Sequence, residues 1–505
     1  MARYKDTAKG QGLFMTVDLE EQIVPDTYEF TLKHLIDDGI DLSIFDGKYN
    51  NDETGAKAIE PRILLKIILY CYSLGIISSR KIARLCETHI VVKALAEDIE
   101  PHYTTISNFV SGMGEEIEKV FAEVLLVCGD QGLIGGRMFA IDGCKLPSNA
   151  SKEWSGTKEE LLRKHDKLKE MCKKILKKHR LNDRLGTEEL AADKRKLEKM
   201  KKKQAKILNF LSSNGDRLGA GGEIVKSNIT DNESGKIKCS RGVIQGYNGI
   251  AVADSKNQII VAANAFGTVA EGQFFGEMLD KTEENMKIVT EKKEPLKGTV
   301  MLGDNGFFSE DNLHAAARKE VEAIIPDEQF RNRDEEIKDG QRRSGKERFD
   351  ARYFKYVKKG NYYICPNGKK LVFRSRVKLN RNEGNKYESK ASDCKGCPYM
   401  SKCIRSGKNQ KEYRTLYIRI PKYEVDYCQD MREKIDKPKY KRIYSKRLGL
   451  IEPVFANITY CKGMDHFTLR TQRKVMIQWI LYCMVHNISK CNTAEKRKKM
   501  RYVKS

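Results

Sequence analysis

The stretch Arg137 to Ala150 reads RMFAIDGCKLPSNA. Met138-Phe139-Ala140-Ile141 is a short apolar run, followed at once by the acid Asp142 and the turn-former Gly143. A run of that length bounded by a turn signal reads as a buried strand that ends at Asp142. A carboxylate at the end of a buried strand is costly unless it is paired or coordinates a metal. A second copy of the arrangement lies in Gly298 to Ser309, GTVMLGDNGFFS, where Thr299-Val300-Met301-Leu302 runs into Gly303-Asp304-Asn305-Gly306. Two acids at two strand ends point to one shared cation.

The segments around these strands give the fold class. From Gly242 the sequence GVIQGYNGIAVADSKNQIIVAANAFG holds two alternating runs, Gly249 to Ala253 and Gln258 to Asn264. Asp254-Ser255-Lys256-Asn257 lies between them as a turn, which predicts a β-hairpin. Ala270 to Met286 reads as an amphipathic helix. The strand before Asp304, a helix over Ser309 to Lys319 and a strand over Val321 to Pro326 follow. This order predicts a multi-domain α/β chain whose core is a mixed sheet, spanning 131–326 and 421–490.

The core is flanked and interrupted. Residues 1–130 read as a helical domain. Pro61 opens a helix whose Ile63 to Tyr72 are apolar nearly all round, and Gly75 ends it. Ser78 or Ser79 caps the basic segment SSRKIARLCE, and Thr104-Thr105-Ile106-Ser107-Asn108-Phe109 starts another helix. Short helices with basic faces and a tight connection fit a helix-turn-helix, although a plain helical bundle gives the same pattern. Arg80, Ser107 and Asn108 are its candidate DNA contacts.

The insert 151–241 centres on a charged, helix-favouring block, 157 to 211. Leu161, Leu168 and Ile175 fall seven apart, as do Leu190 and Leu197, with Asn182-Asp183 and Gly186 between the two runs. That predicts a helical hairpin of coiled-coil type. Its lysine clusters suit a phosphate backbone and a solvated face equally well.

The insert 327–420 is basic and turn-rich. It carries Cys365, Cys394, Cys397 and Cys403, the middle two as a CxxC. Four thiolates could close a tetrahedral Zn²⁺ site, a staple for a small insert without a core of its own. Phe467 to Lys490 reads as an amphipathic helix packed on the sheet. The basic tail 491–505 reads as frayed.

Composition bounds the partners. The chain has 505 residues, with 94 Lys+Arg against 70 Asp+Glu, a net charge of +24. Such a surface attracts polyanions, nucleic acid first and an anionic membrane second. No apolar run approaches the roughly 18–20 residues of a membrane span. The opening MARYKDTAKGQG lacks the apolar core of a signal peptide, so the expected location is cytoplasmic and nucleoid-associated. The 14 cysteines are then expected to be reduced, and clustered ones to bind metal.

A third acid, Glu452, sits in YSKRLGLIEPVF, Tyr444 to Phe455. Three carboxylates from two strands and a helix suit hard, oxygen-preferring cations, two Mg²⁺ or Mn²⁺. Two such ions activate a water or 3′-hydroxyl and stabilise the leaving oxygen, with no protein nucleophile required. No histidine lies beside these acids in sequence, and no Walker-type phosphate loop is present. On a basic chain this chemistry points to phosphodiester cleavage in DNA.

In order, AIDGCKLPSNAS, IQGYNGIAVADSKNQIIVA, MLGDNGFFS and YSKRLGLIEPVFANI with a helix ending VHNISK resemble the DDE transposases of bacterial insertion sequences. The similarity runs from about Val17 to about Lys490. It is to the branch with a helical N-terminal domain and a cysteine-bearing insert before the last acid. The resemblance implies a ribonuclease-H-like core with Asp142, Asp304 and Glu452 as the catalytic, metal-holding acids. It implies that Tyr444 and Arg447 contact DNA ends near the cut. It also implies double-stranded DNA as partner, as terminal inverted repeats and target, and at least a homodimer in a synaptic complex. Two positions depart from the family. Ala456 stands where glycine is usual, and Thr459 where lysine is usual, with Lys462 one helical turn on as a candidate replacement. Two other readings stand beside the transposase: a catalytically silent DNA-binding regulator derived from one, and another ribonuclease-H-like nuclease acting on RNA or hybrids.

Overall fold

The computed structural model describes residues 16–49, 57–181, 187–219, 222–239, 242–268, 270–333, 349–379, 382–404 and 412–503. Contacts divide the chain into two compact units. The first comprises Met1–Ser155, Asn228–Met301 and Lys446–Ser505, and the second Gly156–Ser227 and Leu302–Ser445.

Helices open the first unit. α1 (Tyr28–Asp38) starts where Thr27 Oγ1 accepts the Phe30 N–H at 3.3 Å. α2 (Pro61–Ser73) has proline in its first turn and every residue from Ile63 to Ser73 buried, as the unbroken apolar run predicts. Its fully buried Lys66 is held by Asp37 and Glu97, each 2.9 Å from the ammonium. α3 (Ser79–Thr88) and α4 (Ile90–Leu95) follow. Ser78 sits at the N-cap of α3 without a side-chain capping bond. α5 (Tyr103–Gly112) is capped not by Thr104 or Thr105 but by His102, whose ring nitrogen faces the Thr104 N–H at 3.5 Å. An imidazole acceptor can do the work of a hydroxyl there. α6 (Glu115–Asp130) completes the set, with three glutamates in its first turn complementing the helix dipole.

β1 (Met138–Pro147) does not end at Asp142. It runs on against β3 (Gly242–Asp254), with Asp142 opposite Ala251, Gly143 opposite Ile250 and Pro147 opposite Gly246. Gly143 is a strand residue, not a turn. A Cβ there would run into the Glu271 and Asn248 side chains, so glycine leaves room for polar groups on the face opposite Asp142.

β2 (Gly235–Cys239) is a strand the sequence did not suggest. It pairs with β3, which also pairs with β4 (Ile260–Phe266) as the expected hairpin. β4 and most of β3 are buried throughout rather than alternating, because both sheet faces are covered. α9 (Phe275–Thr290) follows β4. The division between units falls within β5 (Val300–Leu302), and the Val300 N–H donates to the Arg137 carbonyl at 3.0 Å beside β1.

α13 (Gln472–Val503), the last helix of the chain, packs on β4, α6 and α2 of this unit. It begins at Gln472 rather than Phe467 and extends as one helix to Val503, through most of the segment expected to fray. Ile477 and Trp479 to Ile488 are buried without a break. The helix is therefore enclosed over that stretch rather than amphipathic. Three of its polar residues bond to β4 and the turn before it. Asn487 pairs with both backbone groups of Ile260 at 2.9 Å, as a neighbouring strand would, and His486 Nε2 lies 2.9 Å from the Gln258 carbonyl. Lys490 reaches the Gln258 side chain at 2.8 Å.

The second unit contains the helical hairpin, α7 (Lys158–Leu181) and α8 (Thr187–Ser213). A reciprocal capping box starts α7: Thr157 N–H donates to Glu160 at 3.0 Å, and Glu160 N–H to Thr157 Oγ1 at 3.3 Å. Leu168, Cys172 and Ile175 pack on Leu197 and Met200 along the seam. The expected interruption at Asn182-Asp183 and Gly186 lies outside the described residues.

β6 (Glu322–Ile324) lies beside the chain leaving β5, where Gly303 N–H donates to Ile324, after α10 (Glu310–Arg318). The turn-rich insert is in fact a five-stranded antiparallel sheet: β7 (Lys355–Val357), β8 (Tyr362–Ile364), β9 (Lys370–Leu379), β10 (Asn382–Glu388) and β11 (Thr415–Arg419), in that order. It has its own small core of Phe354, Leu371, Tyr387, Cys403, Ile404 and Leu416, contrary to the expectation of none. Its strands were hidden because β9 is almost wholly exposed beyond Leu371 and so lacks apolar alternation. α11 (Tyr427–Ile435) packs on α10, and Arg419 joins Glu310 to Asp426. α12 (Pro438–Ala456) starts in this unit and ends in the first.

Candidate active site

In the first unit Asp142 is half-buried at mid-strand. Its Oδ1 accepts the Gly143 N–H at 2.8 Å. Its Oδ2 lies 2.7 Å from Nη2 of Arg447, whose side chain is 8% exposed. A buried arginine on a half-buried carboxylate is a charge-assisted pair in a medium that screens little. Arg447 Nε has no acceptor among the described residues, so the guanidinium is not saturated by the protein.

Arg447 and Glu452 share α12. Arg447, Leu450, Ile451 and Val454 form its buried face, and Glu452 is exposed. Phe455, one turn after Ile451, stacks on Trp479 of α13 at 6.2 Å, and the Trp479 indole N–H donates to the Ile250 carbonyl at 3.0 Å. Gly249 of β3 gives the indole its place: a Cβ there would lie 2.8 Å from two of its ring atoms. Gly249 pairs with Cys144, which shares a sheet face with Asp142. The helix that carries Glu452 is thus tied to the strand that carries Asp142 by an ion pair, and to α13, which lies on β3, by an aromatic stack.

The family departures also have structural roles. Thr459, in a π-helical turn after Ala456, returns its hydroxyl to the Phe455 carbonyl at 2.8 Å. Lys462 holds its ammonium 5.3 Å above the Tyr28 ring, and burial lowers its pKa. Its charge is engaged within the chain.

Two further acids of this unit were not singled out from the sequence. Asp254, at the end of β3, is fully buried and accepts three backbone N–H groups, from Gly135, Gly136 and Lys256, at 2.8–3.0 Å. Asp231 is buried, receives the Tyr247 hydroxyl at 2.9 Å, and has its pKa raised by burial. Their partners are backbone N–H groups, most of them distant in sequence, and one phenol, which marks the two acids as ties between segments of the fold.

The helices that hold Arg80, Ser107 and Asn108 also lie here. Arg80 is exposed on α3, its guanidinium 4.7 Å over the Tyr103 ring at the start of α5. Ser107 and Asn108 are exposed on α5, which packs on α3.

In the second unit Asp304 stands two residues past β5, half-buried. Its Oδ1 caps a short 3₁₀ turn by accepting the Gly306 N–H at 2.9 Å. Tyr444 meets Phe330 edge-on at 5.7 Å. Cys365, Cys394, Cys397 and Cys403 line one small cavity. Burial pushes the Cys403 thiol up to about 11, Arg414 opposes the shift, and the other three cysteines add to it. Among the described residues no group of three or more His, Cys, Asp or Glu side chains is already gathered to hold a metal ion. Among them, too, no helix is long and apolar enough to cross a membrane.

Two family models match the chain. "Transposase domain (DUF772)" covers residues 17–112, the helices that hold Arg80, Ser107 and Asn108. "Transposase DDE domain" covers residues 364–492, from the cysteine-bearing sheet through Tyr444, Arg447 and Glu452 into α13. No curated protein matches. With one transposase model on the N-terminal helices and the other on the segment that supplies Arg447 and Glu452, the two matches together support a DDE transposase of the insertion-sequence type.

Proposed function

We propose that this transposase binds the terminal inverted repeats of its element through its N-terminal helices and cuts them with Asp142, Asp304 and Glu452. The Arg447–Asp142 pair carries this reading, because it fastens the Glu452 helix to the Asp142 strand. A sheet with β1 and β3 antiparallel at its centre, β5 beside β1 and helices over it supports a ribonuclease-H-like core.

The donors in question are carboxylate oxygens, which fit the divalent ion a DDE domain depends on, Mg²⁺ or Mn²⁺ rather than a soft metal. When bound, two such ions would activate the attacking water or 3′-hydroxyl and stabilise the leaving oxygen. The protein's own share is positional. Asp142 is held at a fixed point of a rigid sheet by its neighbour's N–H and by Arg447. Glu452 presents an exposed carboxylate from a helix whose opposite face is buried. Arg447 and Tyr444 stand near enough along α12 to meet DNA at the same end. The chain acts as a dimer or larger synaptic assembly, first freeing a 3′-hydroxyl and then joining it to target DNA.

The test is Asp142→Asn. This variant should bind end-bearing DNA within about twofold of wild type and fail to nick it in Mg²⁺. Nicking at the wild-type rate would remove Asp142 from the reaction.

A further inference from the structure

Four cysteines from three separate pieces of the second unit line one cavity. Cys365 follows β8, Cys394 and Cys397 lie in the turn after β10, and Cys403 ends the short helix Met400–Cys403. The cavity has a volume of about 20 Å³, room for one small ion. Leu371, Met400 and Ile404 supply apolar wall, Lys369 and Arg414 supply positive charge, and Asp393 and Ser389 complete the lining with one acid and one hydroxyl. None of the four cysteines is in a disulfide.

The loops are shaped to present sulfur. Cys365 sits in a closed turn: its N–H donates to the Lys369 carbonyl and its own carbonyl accepts from Gly368, both at 2.8 Å. Gly368 has φ +72°, which glycine adopts without strain. The Lys369 N–H then points at Cys365 Sγ, 3.3 Å away. In the CxxC turn the Cys397 N–H donates to the Cys394 carbonyl at 3.1 Å, and Gly396 has φ +75°. The Ser389 hydroxyl lies 3.2 Å from Cys394 Sγ. Arg414 fixes the Cys403 end by donating to its carbonyl at 2.6 Å. Polar donors aimed at sulfur, and cations beside it, are what thiolates need and what four neutral thiols in an apolar wall do not.

We infer that Cys365, Cys394, Cys397 and Cys403 form a closed structural site for one Zn²⁺. Four thiols would bind the ion as thiolates, each Cys–SH giving its proton to solvent, to leave a complex of net charge −2 beside Lys369 and Arg414. Four protein ligands leave no open position, so the ion is structural and not part of strand cleavage. The sulfurs line the wall rather than converging on one point, so binding draws the two turns inward. The ion would tie β8, the β10 turn and the Cys403 helix together where the sheet's core is smallest. This inference is independent of the proposed acids.

The test uses the full chain purified under reducing conditions. Metal analysis should give one zinc per chain. Replacement by Co²⁺ should give thiolate-to-cobalt charge-transfer bands in the near ultraviolet, with the visible pattern of a tetrahedral sulfur site. Zn²⁺ should slow alkylation of these four cysteines by about tenfold or more and leave exposed Cys461 unchanged. The double variant Cys365→Ser/Cys403→Ser should lose the zinc, and Cys461→Ser should keep it. No zinc and no cobalt–thiolate bands in the wild-type chain would overturn the inference, as would a full zinc in the double variant. Because the spectrum and the alkylation pattern are read on wild type, misfolding of a variant leaves the test intact.

Discussion

Arg447 of α12 and Asp142 of β1 are 305 residues apart in sequence and 2.7 Å apart at Nη2 and Oδ2. The pair neutralises a carboxylate that sits at mid-strand, and it fixes one end of the helix that carries Glu452.

Arg447→Met should uncover Asp142. Losing a charge-assisted bond on a half-buried carboxylate should cost about 1–3 kcal/mol, read by urea unfolding in EDTA. Mg²⁺ should restore more stability to this variant than it adds to wild type, since an ion that binds the folded state stabilises by mass action. An equal Mg²⁺ shift in both proteins would separate Arg447 from any ion held by the proposed acids.

His486 predicts a loss of stability in weak acid. Burial pushes its pKa from 6.5 to about 4, so the unfolded chain binds a proton that the folded chain refuses. Its contribution is complete above pH 6.5 and is lost as pH falls through 6.5 towards 4. Between pH 7 and 4.5 wild type should lose about 3 kcal/mol more than His486→Gln, measured by denaturant unfolding at each pH. Parallel pH profiles would show that His486 is protonated within the fold.

The α3–α5 face predicts two kinds of DNA defect. Arg80→Gln should weaken binding to all sequences and reduce the slope of log affinity against log salt by about 1. Asn108→Ala should change discrimination at one base pair by roughly 1–3 kcal/mol and leave the salt slope alone. Wild-type binding by both variants in a gel-shift titration would move the reader to another face.

Gly249→Ala should strain the contact between β3 and α13, because the new methyl meets the Trp479 ring system at 2.8 Å. A cost of about 1–3 kcal/mol is expected in urea unfolding. Gly276→Ala, with nothing within 4 Å, is the control and should stay within about 0.5 kcal/mol of wild type.

Local chemistry was readable wherever it stayed local. Pro61, the apolar run after it and the heptads of α7 and α8 specify their helices through short-range contacts alone. Asp142 was expected at the end of a strand and lies in the middle of one. A polar run, Asp142 to Lys145, reads as the end of a strand, yet each residue has a partner across the sheet or from a helix. Gly143 reads as a turn because its real reason, the bulk of Glu271 and Asn248, is contributed from more than a hundred residues later. The cysteine-bearing sheet was missed because its strands are exposed and basic, and alternation marks only half-buried strands.

The sequence by itself determined the candidate residue types and the order of the segments that carry them: two aspartates on or just after strands, a set of N-terminal helices, a cysteine cluster and a late glutamate. Only tertiary structure decided which arginine neutralises Asp142 and which face of α12 leaves Glu452 in solvent. It alone decided why VHNISK is needed, with Asn487 completing the backbone bonding of Ile260. Backbone preference acts over a few residues and is written in the order of the chain. Charge pairing and packing depend on distance in space, which residue order alone does not specify.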